Sequence, residues 1–162
     1  MDDLDRTLAT ALVHDGRLSF QELARTVHLS ANSTAERVRR LRQTGVITGY
    51  HAELSLAGLG RTLDALSDIK LKDDVDRRDF EHHLADVPQV LSATHTTGEY
   101  DYQLRLACTG TDDLETVVDD LRWLGAREIH SRIVLGEVRF DPTRLLRSPG
   151  LVRPPPRPAP AG

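Results

Sequence analysis

Apolar positions recur at helical spacing over the first third of the chain and then give way to shorter, strand-like runs. Leu4, Leu8, Ala11 and Leu12 predict a helix from about Asp3 to His14, ended by the Asp15-Gly16 turn. Ser19-x-x-Glu22 has the form of a capping box and opens a second helix to about Thr26, with Leu23, Ala24 and Val27 as its buried side. Val27-His28-Leu29 is then a tight turn. A turn between crossing helices calls for a left-handed residue, and His is one of the non-glycine types that tolerate it, so His28 is read as structural.

The third helix is the informative one. Ser30 supplies an N-cap, no Gly or Pro interrupts the chain before Gln43, and Ala35, Val38 and Leu41 share one face. The opposite face carries Asn32, Ser33, Glu36, Arg37 and Arg40. Gly45 stops the helix, and Val46, Ile47 and Tyr50 suit a short strand, the start of a wing. Small polar residues at a helix start let it approach base edges, and Arg pairs bidentately with guanine or holds phosphate. The pattern suits a winged helix-turn-helix reading double-stranded DNA, and equally a solvated amphipathic helix whose charges face water. Arg37 and Arg40, with Asn32 and Ser33, are its expected groove contacts. Ser30 and Thr34 lie beside them, and Arg39 is assigned to phosphate or a neighbouring acid.

Leu54–Leu63 is small and Gly-containing, as a hinge would be. Beyond it the elements read strand (Leu63–Leu71), helix (Val75–Ala85), strand (Val90–Thr97), strand (Tyr100–Cys108), helix (Asp112–Trp123) and strand (Glu128–Phe140). That βαββαβ order is the ferredoxin-like arrangement, so the chain is α+β. Helices would cover one sheet face only. The other face, expected to be apolar, would need a partner, and dimerisation through it would supply two recognition helices for a two-fold site. The predicted division is 1–53 for DNA binding, 54–62 as hinge and 63–147 as the sheet domain. Residues 148–162 form a Pro-rich tail expected to be extended and disordered; Pro155-x-x-Pro158 outlines a polyproline ligand, but a plain solvated tail is the preferred reading.

Charge refines this picture. The formal net charge of -4 argues against a nucleic-acid binder at first sight. Its distribution argues otherwise: residues 1–50 hold seven arginines against six acids, and four of those arginines fall between 37 and 42. The single Cys108 cannot form an internal disulfide, which fits a reducing cytoplasm. No apolar run approaches the ~20 residues of a membrane span, and the acidic start MDDLDRTL is unlike a signal peptide. The seven histidines show no metal-ligand spacing, since adjacent His82 and His83 diverge by ~100° on a helix. No catalytic motif is present, so neither metal, cofactor nor enzymatic activity is expected.

Leu29-Ser30, Arg37–Leu41 and Gly45–Tyr50 carry a specific resemblance. The stretch LARTVHLSANSTAERVRRLRQTGVITGYHAEL resembles the DNA-binding half of the Lrp/AsnC family, the leucine-responsive and asparagine-responsive regulators of bacteria and archaea. The second half is similar to that family's RAM domain, which dimerises and binds small effectors, and the resemblance spans about residues 2–140. In the family Gly-x-x-Asp-Tyr marks the effector loop, matched here by Gly98, Asp101 and Tyr102 within Thr97-Gly98-Glu99-Tyr100-Asp101-Tyr102. Gly98 permits a positive φ that exposes N–H groups to a carboxylate, and Asp101 could accept an ammonium group, so an amino acid is the implied ligand. The alternative for this loop is a β-turn whose Asp faces water.

The family site is often completed from the last strand by Thr-x-Thr. Here Ile129-His130-Ser131 stands in that place, so Ser131 keeps one hydroxyl and Ile replaces the other. His95 either lines the same pocket or faces solvent. The resemblance implies a homodimer and higher homo-oligomers. Two other readings compete: a sirohaem-decarboxylase-like enzyme, which shares this two-part scaffold, and an architectural protein that wraps DNA with little sequence preference.

Overall fold

The computed structural model describes residues 1–146; the Pro-rich tail lies outside the described residues. The chain divides into two units, 1–52 together with the residues from Arg139, and 53–138.

In the first unit each helix forms where its ends are satisfied. Helix α1 (Asp3–His14) is capped by Asp2, whose carboxylate accepts the Asp5 N–H at 2.8 Å while the Asp5 carboxylate reaches back to the Asp2 N–H. Helix α2 (Phe20–Val27) has the expected Ser19–Glu22 capping box. It ends at His28, whose φ of 54° and ψ of 41° place it in the left-handed region the turn requires. Helix α3 (Ala31–Gln43) starts on Ser30, whose hydroxyl accepts the Ser33 N–H at 3.1 Å. Leu8, Leu23, Val27 and Val38 close the core between the three helices, with Leu4, Leu12, Leu29 and Ile47 packed around them. The 3-10 turn Pro142–Leu146 lies against α1.

The expected wing strand does not form. Residues 46–50 carry no ladder: the Ile47 N–H donates to the Leu41 carbonyl, Ile47 packs into the helical core, and Tyr50 is exposed beneath the Arg42 guanidinium. A lone strand without a pairing neighbour gains no ladder hydrogen bonds, so the segment after Gly45 follows the core instead.

The second unit contains β1 (Leu63–Leu71), α4 (Arg77–Leu84), β2 (Val90–His95), β3 (Tyr102–Cys108), α5 (Thr111–Trp123) and β4 (Ala126–Ile133). The strands order as β2-β3-β1-β4, all neighbours antiparallel, which is the predicted ferredoxin-like topology. Helix α4 starts later than Val75 because the Asp76 carboxylate caps it, accepting the Arg78 and Asp79 N–H groups. Strand β4 stops well short of Phe140: the Val134 N–H donates to the Asp64 carbonyl, and there β1 runs out. Alternate residues of β1 and β3, among them Ala65, Ile69, Leu104 and Leu106, pack under Phe80 and Leu84 of α4 and Val117 and Leu121 of α5.

The opposite sheet face departs from expectation. It is polar rather than apolar: Arg105 spans Asp64 (2.7 Å) and Glu137 (3.3 Å), and Asp68 accepts from Arg132 (2.5 Å) and Gln103 (3.0 Å). Buried-sheet alternation fixed one face as aliphatic, but the other is tiled by cross-strand ion pairs that satisfy one another. The Arg105 guanidinium is held well above its ordinary value by the hydrogen bonds to Asp64 and Glu137.

Gly125, between α5 and β4, has φ +111°, and a Cβ there would stand 2.4 Å from Val75 Cγ2. Gly125→Ala should therefore destabilise this unit by about 1–3 kcal/mol. Thermal unfolding of the variant would show it; an unchanged midpoint would mean that the backbone relaxes freely.

Candidate nucleic-acid interface and ligand loop

On α3 the buried stripe is Thr34, Val38 and Leu41, with Ala35 only half-buried. This corrects two assignments. Thr34 is fully buried, so it cannot reach a base edge. The outward direction, opposite that stripe, runs along Asn32, Glu36, Arg39 and Gln43, so Arg39 is more outward than expected and Arg37 lies on a flank. Ser33, Glu36, Arg37, Arg39, Arg40 and Gln43 line a shallow depression of about 520 Å³ on this surface. Ser30 is exposed but its hydroxyl is occupied as the cap, also lying 2.9 Å from the Ser33 hydroxyl.

Two acids that sequence reasoning missed organise this face. Arg37 Nη1 donates to Asp2 Oδ2 at 2.6 Å and to Asp5 Oδ1 at 2.9 Å. Arg40 Nη2 donates to both Asp5 oxygens, at 3.2 and 3.0 Å. Asp5 is 2% exposed. A carboxylate there can remain charged only because the two guanidiniums replace its water. The signal was available: Asp5 sits within the stripe of Leu8 and Ala9, and a buried acid on α1 demands a basic partner on a packed neighbour.

Asp2 and Asp5 both lie below the ordinary carboxylate value of 3.8. For Asp2 the Asp5 N–H lowers it most, then Arg37. For Asp5, burial pushes upward, but the bonds from Arg37, the Asp2 N–H and Arg40 together outweigh it. The Asp2 and Asp5 bonds in turn raise Arg37.

In the second unit, residues 96–101 connect β2 to β3. Gly98 has φ +118° with open space where a Cβ would be. The loop is tied at its base: the Thr96 N–H donates to the Asp101 carbonyl and the Thr96 hydroxyl to the Tyr100 carbonyl, each at 2.9 Å. Asp101 does not simply face water. Its Oδ2 accepts the Leu71 N–H at 2.9 Å, its N–H donates to the Ile69 carbonyl at 2.8 Å, and its Oδ1 lies 3.7 Å from Lys70 Nζ. Thr97, Gly98 and Glu99 are exposed.

The remaining assigned residues divide between the two sheet faces. Ser131 is paired with Ser67 across the β1–β4 ladder, hydroxyl to hydroxyl at 2.7 Å, on the helix-covered side where Ser67 is fully buried. The Tyr100 ring instead stacks near His130, 5.3 Å between centroids, and His130 points to the opposite side of β4 from Ser131. Within one chain, therefore, the Ser131 hydroxyl and the Tyr100 ring serve different faces. His95 packs on the Tyr102 ring at 5.1 Å, and the Tyr102 hydroxyl donates to Glu81 at 2.5 Å. Burial, then the bond to Glu81, holds the Tyr102 hydroxyl far above its ordinary range.

The profile of the AsnC-type helix-turn-helix domain matches residues 1–42, and that of the Lrp/AsnC ligand binding domain matches 64–143. The regulator LrpA of Mycobacterium tuberculosis is 32% identical over 141 residues, covering 87% of this chain and 94% of that protein. This chain belongs to the Lrp/AsnC family of transcriptional regulators. The Bkd operon transcriptional regulator of Pseudomonas aeruginosa is 38% identical over 110 residues, 65% of this chain and 71% of that one. Among solved structures, a Neisseria meningitidis transcriptional regulator in complex with L-Met superposes with a TM-score of 0.79 at 29% identity, covering 86% of this chain and 93% of that chain. The family carries a helix-turn-helix DNA-binding domain and a four-stranded α+β ligand-binding domain, which are the two units seen here. No helix among the described residues is long and apolar enough to cross a membrane.

The lowered carboxylates give this regulator an acid-sensitive first unit. Groups whose folded pKa is depressed contribute fully above their ordinary value, here 3.8, and lose that contribution as pH falls through the lowered folded value. Asp5→Asn should therefore be less stable than the parent at neutral pH and show a flatter acid limb. Circular dichroism across the acid range measures both, and parallel acid limbs would show that the carboxylate carries no linkage.

Proposed function

We propose that this regulator reads DNA with the outward surface of α3 and senses an amino acid, or a related small molecule, at the loop 96–101. The observation that carries the DNA assignment is the exposed set of Asn32, Ser33, Arg39 and Arg40 on a capped helix, with Arg37 half-buried on its flank. Asn and Ser near the helix start approach base edges, while the arginines hold phosphate or guanine. Residues 54–62 act as the hinge, and a homodimer, extending to higher assemblies, presents two recognition helices to a two-fold operator. The regulator works in the cytoplasm without catalysis, in keeping with its single cysteine and with relatives that are transcriptional regulators.

For the effector, the L-Met complex of the Neisseria relative supports an amino-acid ligand. Exposed N–H groups around Gly98 suit the carboxylate. The Asp101 Oδ1 oxygen, held only by a distant Lys70, suits the ammonium group. Tyr100, Thr97, Glu99 and Ser131 complete the set, Ser131 by way of the second subunit or a rearranged strand edge, since it faces away from Tyr100 in one chain. The ligand acts by favouring one dimer or assembly geometry over another and so changing the spacing of the recognition helices.

Arg37→Ala should weaken binding to a site selected from random duplexes by about 1–3 kcal/mol and relax its base preference. Quantitative gel shifts would show this, and a loss that is uniform across sequences would assign Arg37 to phosphate alone. A thermal-shift screen against the twenty amino acids should give a stabilising hit, because ligand binds the folded state. Asp101→Asn, which keeps an acceptor for the Leu71 N–H but removes the charge, should abolish that shift. An unchanged shift would remove Asp101 from the site.

A further inference from the structure

The Arg37 guanidinium meets two carboxylates of very different standing. The Asp5 side chain is 3% exposed and bonded to both arginines, so separating it would leave a buried charge without a counterion. The Asp2 side chain is 51% exposed and touches Arg37 through one oxygen, Oδ2, while its other oxygen, Oδ1, caps α1. An exposed pair of this kind exchanges partners at little cost. Both Nη1 hydrogens of Arg37 are thus committed to acids, one permanently and one replaceably.

We infer that Asp5 is the positioning residue that holds Arg37 and Arg40 at the flank of the outward surface, and that Asp2 stands in for a DNA phosphate on Arg37 until DNA displaces it. The inference rests on the reading of Arg37 as a DNA contact. The chemistry is a carboxylate-for-phosphate exchange on one guanidinium donor. Its consequence is that the unbound protein carries a neutralised Arg37, which lowers its attraction to arbitrary duplex and leaves tight binding to sites where a phosphate reaches the arginine in register. Each Arg freed to neutralise a phosphate adds close to one unit to the slope of log affinity against log salt.

Asp2→Asn tests this cleanly, because Asn is as good an N-cap as Asp and only the negative charge facing Arg37 is lost. Asp3→Asn is the control: Asp3 is exposed, adds the same net charge when neutralised, and pairs with Arg6 rather than Arg37. Binding of the full chain to mixed-sequence duplex DNA across a salt series is the measurement, with circular dichroism checking that each variant is folded. Asp2→Asn should bind several-fold tighter with a salt slope steeper by about one unit, and Asp3→Asn should leave the slope unchanged. In an Arg37→Ala background, Asp2→Asn should have no effect, the coupling expected of a direct pair. Equal slopes for Asp2→Asn and Asp3→Asn, or a persistent Asp2→Asn effect without Arg37, would overturn the inference while leaving Arg37 a DNA contact. If Arg37→Ala alone leaves DNA binding untouched, the reading of α3 and this inference fall together.

Discussion

A carboxylate buried between helices is the constraint on which the first unit turns. Asp5 cannot stay ionised at 2% exposure without partners that replace its water, and besides the Asp2 N–H these are two guanidiniums of α3. The hydrophobic contacts of Leu8, Leu23, Val27 and Val38 bring the helices together, and the buried stripe of Thr34, Val38 and Leu41 sets which side of α3 faces outward. The ion pairs from Arg37 and Arg40 to Asp5 tie α1 to the flank of that surface, through residues suited to hold phosphate.

The same economy appears at the turn before α3. His28 adopts the left-handed conformation without glycine, and the His28 and Leu29 N–H groups both reach back to the Ala24 carbonyl in the last turn of α2. Together with the Ser30 cap, this delivers the start of α3 as an ordered, polar surface. The DNA-facing chemistry is thus built on rigid elements.

The sheet unit solves a different problem. Its helix-covered face is a largely apolar layer, interrupted by the Ser67–Ser131 hydroxyl pair, while its other face replaces apolar burial with cross-strand ion pairs centred on Arg105 and Asp68. The loop 96–101 is fastened to β1 through Asp101, which bonds the Ile69 carbonyl and the Leu71 N–H. A ligand drawing on Asp101 would therefore act directly on the strand whose outward residues, Asp64 and Asp68, anchor the charged face.

Much of this was determined by the sequence alone. Periodicity, capping residues and Gly45 placed all three N-terminal helices, because these are local properties of spacing and end satisfaction, and the βαββαβ order of elements pointed to the ferredoxin-like topology. The motifs around Arg37–Leu41 and Gly98–Tyr102 were legible through their likeness to the family pattern. Tertiary structure decided the rest. Only packing shows that Thr34 rather than Ala35 completes the buried stripe of α3, that the wing segment has no strand to pair with, and that the open sheet face is charged. Asp2 and Asp5 read locally as ordinary acids at a helix start, and their partners are 32 to 35 residues away. A buried charge is satisfied by whatever the fold brings beside it, and that is a property of three-dimensional neighbours, which spacing along one helix does not encode.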